Sequence, residues 1–264
     1  MIRILFLAGA LGLSANAQPP IAELPAARQA LDDAGFAGTI VLYDPQRNTW
    51  QAGHAEHADK RVLPASTFKI LNSLIALETG IVTGAESVLP WDGVARKRSE
   101  WNRNLDLRTA FQVSAVPHYQ ALARRIGADR MQRFVDAVGY GNRDISGGID
   151  QFWLAGGLRI SAREQVEFLA RLYRGDLPFS AAAMAAVKDI MAGERTSGPV
   201  IRAKTGWAVP PGQDQAGWWV GWVERPSGVT IFATRLETGG ALDDAFLPAR
   251  ISVTRRALEA LGVL

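Results

Sequence analysis

Apolar residues recur along this 264-residue chain with two different periods, and each change of period marks a new element. Residues 25–34 place Ala27, Ala30 and Leu31 at helical spacing after Pro25, a residue suited to a first helical turn. Residues 38–43 are β-branched and apolar and end at the turn pair Asp44-Pro45, with a second strand expected at 49–52. Helical spacing returns over 66–80 through Ile70, Leu71, Leu74 and Ile75. From about 85 to 180 the pattern is mainly helical, as at 117–126, 129–138 and 161–174, and Ser161 with Glu164 has the spacing of a capping box. Strands are expected again at 200–203, 218–224 and 229–234, followed by a closing helix at 244–261.

The last two strands are joined by the short turn Pro226-Ser227-Gly228, which suits antiparallel pairing. The order therefore predicts an α/β fold of the α+β type. An antiparallel sheet is flanked by helices, and a mostly helical second lobe, at about 85–180, is inserted into the sheet lobe. A cleft between two lobes is where a small-molecule site is expected.

Composition narrows the classes. With 48% hydrophobic and 21% charged residues the chain is an ordinary globular protein, and no repeat at a fixed period is present. The formal charge of +3 is mild and spread along the chain, so no basic face for nucleic acid is expected. There is no cysteine, which excludes disulfides, thiolate nucleophiles and cysteine metal sites. At the N-terminus Arg3, the apolar stretch 4–13 and Ala15-Asn16-Ala17 read as an export signal cleaved after Ala17. The apolar run is too short to cross a bilayer, and no later segment is apolar enough to do so. The expectation is a signal peptide at 1–17, a domain at 18–264 located in the periplasm, and no stable membrane anchor.

Three short motifs carry candidate chemistry. In Ser66-Thr67-Phe68-Lys69 a helix would put Lys69 beside Ser66, and a desolvated lysine can activate a serine that is a poor nucleophile alone. Equally, Ser66 could simply cap a surface helix. Lys204-Thr205-Gly206 falls at the end of an expected strand, where Lys204 can point into a cleft and Gly206 leaves room for substrate. A plain turn fits that tripeptide as well. Ser114-Ala115-Val116 opens the helical stretch at Pro117 and carries no signal by itself. His54, Glu56 and His57 lie in a turn-rich stretch read as surface, and no metal site is expected. No Gly-x-Ser-x-Gly elbow occurs, which argues against an α/β-hydrolase triad.

Together with Tyr140-Gly141-Asn142, Phe152-Trp153-Leu154 and the run from Gly217 to Trp222, these motifs appear in the order found in penicillin-recognising serine enzymes. Over nearly all of residues 20–264 the chain resembles the class D, OXA-type, serine β-lactamases. The resemblance implies hydrolysis of a small-molecule β-lactam through an acyl-enzyme on Ser66. It implies no metal or organic cofactor beyond CO₂, held as a carbamate on Lys69 that acts as general base. Ser114 would relay a proton to the lactam nitrogen, and Lys204, Thr205 and Arg250 would meet the substrate carboxylate. The oxyanion hole would be formed by the backbone N–H groups of Ser66 and Trp207. Phe68, Val116 and Leu154 would desolvate Lys69, and the Trp153 indole would hydrogen-bond the carbamate.

Several points stay open at this stage. His118 and the tryptophans 218, 219 and 222 read as packing. Arg235 stands where many relatives carry Asn, and it is expected either at the cleft rim or facing solvent. A homodimer is left open. A penicillin-sensing receptor domain and a peptidoglycan transpeptidase are the rivals, the latter usually carrying Asn at the position of Val116.

Overall fold

The computed structural model describes residues 19–193, 198–210, 212, 214–239 and 244–264, so the expected leader at 1–17 lies outside the described residues. Strand β1 (Ala22–Glu23) and helix α1 (Pro25–Ala34) lead into strands β2 (Ala37–Asp44) and β3 (Thr49–Gly53). Helix α2 (Lys69–Glu78) precedes a small hairpin of β4 (Val88–Leu89) and β5 (Leu105–Asp106). Helices α3 (Leu107–Gln112), α4 (Val116–Ile126), α5 (Ala128–Val138), α6 (Ala162–Arg174) and α7 (Ala181–Ile190) build the helical lobe. Strands β6 (Val200–Ala208), β7 (Gln215–Arg225) and β8 (Gly228–Thr238) and helix α8 (Phe246–Ala260) complete the chain.

The six-stranded sheet has the order β1-β3-β2-β8-β7-β6, antiparallel throughout except for the short parallel pair β1–β3. Its central strands are apolar on both faces, because successive side chains point to opposite sides and both sides are covered. Trp218, Val220 and Trp222 of β7 face the main core, whereas Trp219 and Val223 face a second core under α1 and α8. Phe246, Ala249, Val253, Ala257 and Leu258 form the apolar stripe of α8 that covers this second face.

The structure differs from the sequence reading in several places. The helix expected from Ser66 begins at Lys69, because residues Ala65–Phe68 form a 3-10 turn. Strand β6 runs to Ala208 instead of stopping at Ala203, since pairing with β7 continues through Ala208↔Ala216. Helix α7 extends the helical region past 180; Ser180 caps it by accepting from the Ala183 N–H. Arg235 is neither at a rim nor in solvent: it is 1% exposed, paired with Glu237 at 2.9 Å and donating to the Lys60 carbonyl. Arg235 shares a strand face with Ile231 and Ala233, which face the main core under α6, so its side chain has no route to water and the charge is met by a carboxylate instead.

Candidate active site

The Ala65–Phe68 turn is held from three sides. The Ala65 N–H donates to the Trp153 carbonyl at 3.0 Å, the Thr67 N–H to the Pro64 carbonyl at 3.2 Å, and the Thr67 hydroxyl to the same carbonyl at 2.8 Å. Ala65 sits at φ +47, a left-handed conformation that costs a residue with a Cβ roughly 1–3 kcal/mol and persists only where the surroundings impose it. The reward is presentation: Ser66 stays half-buried at the turn while Lys69 enters the core at the start of α2.

Lys69 is fully buried, and its Nζ donates to Ser66 Oγ at 2.8 Å. Its nearest aromatic face is Tyr119, 5.2 Å from Nζ to the ring centroid. Burial, reinforced by the charges of Lys204 and Arg98, holds the amine well below the usual lysine range. Phe68 stacks on Trp153 at 5.4 Å and meets Phe152 and Tyr140 edge-on at 5.0 and 5.7 Å. Leu154 is half-buried and packed against this core, and Val116 is half-buried at the start of α4. Trp153 Nε1 is buried and has no hydrogen-bond partner, a state that costs about 1–3 kcal/mol unless an acceptor arrives. An anionic group on Lys69 fits this site: an amine whose positive charge is opposed by burial and by nearby cations, an apolar shell and one unspent donor.

Trp153 is placed by the Tyr140-Gly141-Asn142 motif. Gly141 adopts φ +54 with its Cα pressed on the Arg159 carbonyl, where a Cβ would come within 2.0 Å of the oxygen. Asn142 then donates to the Gly157 carbonyl at 2.9 Å and accepts from the Arg159 N–H at 2.8 Å. The two residues close the base of the loop that carries Phe152, Trp153 and Leu154.

Ser114 follows α3 at φ +57, its N–H bonded to the Phe111 carbonyl at 3.1 Å. The neighbouring Val113 carbonyl accepts from Trp101 Nε1 at 3.0 Å, and Arg98 lies over the Trp101 ring at 4.8 Å. Lys204, 4% exposed, lies over Phe111 at 5.5 Å and donates to the Thr205 carbonyl at 3.1 Å. Burial, with Arg250 and Arg98 nearby, brings its amine down to about 7. Thr205 and Lys204 line a concavity of about 400 Å³ with Phe111, Met191 and Trp219. Gly206 lies tight against the nucleophile turn, its would-be Cβ 3.1 Å from both the Pro64 oxygen and Thr67 Cγ2.

Arg250, near the start of α8, donates to the Gly206 carbonyl, and its buried Nε has no partner. Burial lowers its guanidinium to about 10. Lys204 and Arg250 thus form a desolvated cationic pair in need of an anion. Trp207, on the same strand, is 42% exposed and bonds Gln215 at 3.0 Å.

Residues read as packing behave so: Trp218 donates to the Leu63 carbonyl, Trp222 to Glu224, and His118 meets the Arg103 carbonyl. Donor atoms of His54, Glu56 and His57 come within 4.8 Å of one another, but His54 already meets Asp32 at 2.8 Å and Arg28 at 3.3 Å. Sequence reasoning missed Thr67, Gln165 and Tyr119. Gln165 carried a signal, a polar residue on the apolar stripe of α6 made by Ala162, Phe168, Leu169 and Leu172.

Comparison with known proteins places the chain in a family. The family model for the penicillin binding protein transpeptidase domain matches residues 38–259. β-Lactamase OXA-48 of Klebsiella pneumoniae is 44% identical over 200 residues, covering 76% of this chain and 75% of its own. β-Lactamase OXA-2 of Salmonella typhimurium is 38% identical over 265 residues, covering 98% and 93%. The crystal structure of the class D β-lactamase YbXI from Nostoc superposes with a TM-score of 0.86 at 43% identity, over 90% of this chain and 99% of that one. That of FUS-1 (OXA-85) from Fusobacterium nucleatum subsp. polymorphum gives 0.87 at 37%, over 92% and 99%. These relatives match over most of its length, and the chain belongs to the class D β-lactamases.

Proposed function

We propose that this chain hydrolyses β-lactams through a covalent acyl-enzyme on Ser66, with Lys69 carrying the general base and the periplasm as its location. The observation that carries the reading is Lys69, a buried amine 2.8 Å from Ser66 Oγ. The charged groups acting on it, Lys204 and Arg98, are both cations that oppose its protonation. A neutral amine reacts with CO₂, and the carbamate so formed supplies an anionic oxygen base at the end of the lysine. Trp153 Nε1 is the donor available to hold that charge, and Phe68, Leu154 and Val116 keep water away from it.

The remaining residues have distinct tasks. Lys204 and Arg250 bind the substrate carboxylate, with Thr205 beside them, and so place the lactam carbonyl over Ser66. Ser66 Oγ gives up its proton on the Lys69 side and attacks the carbonyl carbon. The backbone N–H groups of Ser66 and Trp207 take the charge that develops on its oxygen. Ser114 passes a proton to the lactam nitrogen as the C–N bond breaks. Water, deprotonated on the Lys69 side, then releases the acyl group.

The direct test is mass spectrometry after mixing with benzylpenicillin. An adduct of the intact penicillin mass should map to Ser66 and be absent from Ser66→Ala. An adduct on another serine, or full turnover by Ser66→Ala, overturns the assignment.

A further inference from the structure

Behind the nucleophile lies a set of polar groups that the mechanism above does not use. Gln165 of α6 and Thr67 of the nucleophile turn are each fully buried, and Gln165 Nε2 donates to Thr67 Oγ1 at 2.8 Å. That hydroxyl in turn donates to the Pro64 carbonyl at 2.8 Å, closing the turn one residue on either side of Ala65-Ser66. Tyr140, 1% exposed, brings its hydroxyl to the same place; burial keeps the phenol protonated, and Thr67 and Gln165 are the polar side chains it faces. The surroundings are aromatic, with Phe68 against Tyr140 at 5.7 Å and Phe168 against Tyr140 at 5.1 Å.

An amide and two hydroxyls in an apolar core are costly unless they specify something. What they specify is visible on the opposite side of Thr67. Its Cγ2 and backbone N, with the Pro64 oxygen, are the atoms that crowd Gly206, at 3.1 to 3.3 Å from where a Cβ would sit. Thr67 is therefore wedged between the strand that carries Trp207 and the amide that fixes its rotamer. The two oxyanion donors belong to the residues next to this contact, Ser66 beside Thr67 and Trp207 beside Gly206.

We propose that Gln165 is a positioning residue for acyl transfer: through the Thr67 hydroxyl it holds the Ala65–Phe68 turn against β6 and sets the spacing of the two oxyanion donors. Gln165 touches no substrate. The inference rests on the acyl-enzyme reading, and the experiment separates the two.

Gln165→Leu removes the donor at similar volume, Thr67→Val removes the hydroxyl, and Thr67→Ser retains it. With benzylpenicillin, Gln165→Leu and Thr67→Val should each lower kcat by about tenfold or more with KM within about twofold, because the lost contact matters in the transition state. Thr67→Ser should stay within about threefold of the parent. Because both changes break one linkage, the double variant should lose little more than either single one. The decisive readout is the infrared carbonyl band of the acyl-enzyme, accumulated with benzylpenicillin in the Trp153→Ala background. In Gln165→Leu it should move to higher frequency as the oxyanion hydrogen bonds weaken. A residue that only packs would lower Tm and leave the band and kcat in place, and that result overturns the proposal, as do additive losses. If Gln165→Leu does not fold, Thr67→Val against Thr67→Ser carries the same comparison, and equal bands in those two overturn it. Absence of any acyl band in the parent would instead overturn the acyl-enzyme reading.

Discussion

Two lysines set the chemistry at the residue scale, and both are unusual because burial works against their charge. Lys204 illustrates the consequence for stability: folded, it releases its proton at about 7, against an ordinary 10.5. Below the lower value both folded and unfolded chains hold the proton and the burial penalty is present in full. Between the two values only the unfolded chain holds it, so stability rises with pH by up to about 1.4 kcal/mol per unit and levels off above the upper one. Urea denaturation of the ligand-free protein from pH 7 to 10 should show this rise, and Lys204→Met should reduce its slope, leaving the share of the same sign that buried Lys69 contributes; an unchanged slope contradicts the assignment. In its proposed role Arg250 holds the substrate carboxylate in ground and transition states alike, so Arg250→Ala should raise KM for benzylpenicillin more than it lowers kcat. A large fall in kcat at constant KM would remove it from the binding role. The contact between Lys69 and Ser66 was legible in the sequence because it is local: Lys69 lies three residues after Ser66 whether the turn is α or 3-10. Gln165 and Arg235 were not, because their meaning depends on partners far along the chain, Thr67 for one and Lys60 for the other.

Elements explain why the motifs contain glycine. Gly141 is required by a positive φ and by the Arg159 carbonyl, and together with Asn142 it closes the loop that delivers Trp153. Gly141→Ala should therefore destabilise the protein by on the order of 2 kcal/mol and also make its activity more dependent on added bicarbonate, since Trp153 loses its seat. Gly221 is the matched control: a Cβ there would come 2.1 Å from the Arg202 carbonyl, between β6 and β7. Gly221→Ala should cost a similar 1–3 kcal/mol, to order of magnitude, with no change in bicarbonate response. Urea denaturation with turnover assays at two bicarbonate concentrations checks both, and an equal response in the two variants contradicts the distinction. Strand and helix types were readable where a short continuous apolar run or a clean helical period marked them, as in β7 and the capped α6 respectively. Helix α7 was not, because its alanine-rich segment shows little contrast between faces, although Ser180 marked its start. The 3-10 turn at Ser66 also escaped, since it arises from the Trp153 carbonyl and the Thr67 hydroxyl and not from helix propensity.

Across the whole molecule, the sheet and the helical lobe each contribute what the other lacks. The sheet supplies Lys204, Thr205, Gly206 and Trp207 on one straight strand, and α8 behind it brings Arg250 to the Gly206 carbonyl. Lys69 enters the apolar core shared with the helical lobe, where Trp153 waits without a partner. Their junction gathers Lys69, Lys204 and Arg250, with Arg98 acting on both lysines, into a buried cluster whose positive charge is opposed by burial and by its neighbours. Such a cluster is stable when anions complete it: a carboxylate from the substrate at one end and a carbamate on Lys69 at the other. The central claim is the second of these. It is tested by carbon-13 NMR of the protein equilibrated with labelled CO₂, with penicillin turnover in degassed buffer measured with and without bicarbonate. The account predicts a carbamate resonance that is lost in Lys69→Ala and fades as pH falls, with acid-side activity partly restored by bicarbonate. No resonance and no bicarbonate response at any pH would leave the fold and the acyl-enzyme standing and contradict the role given to Lys69.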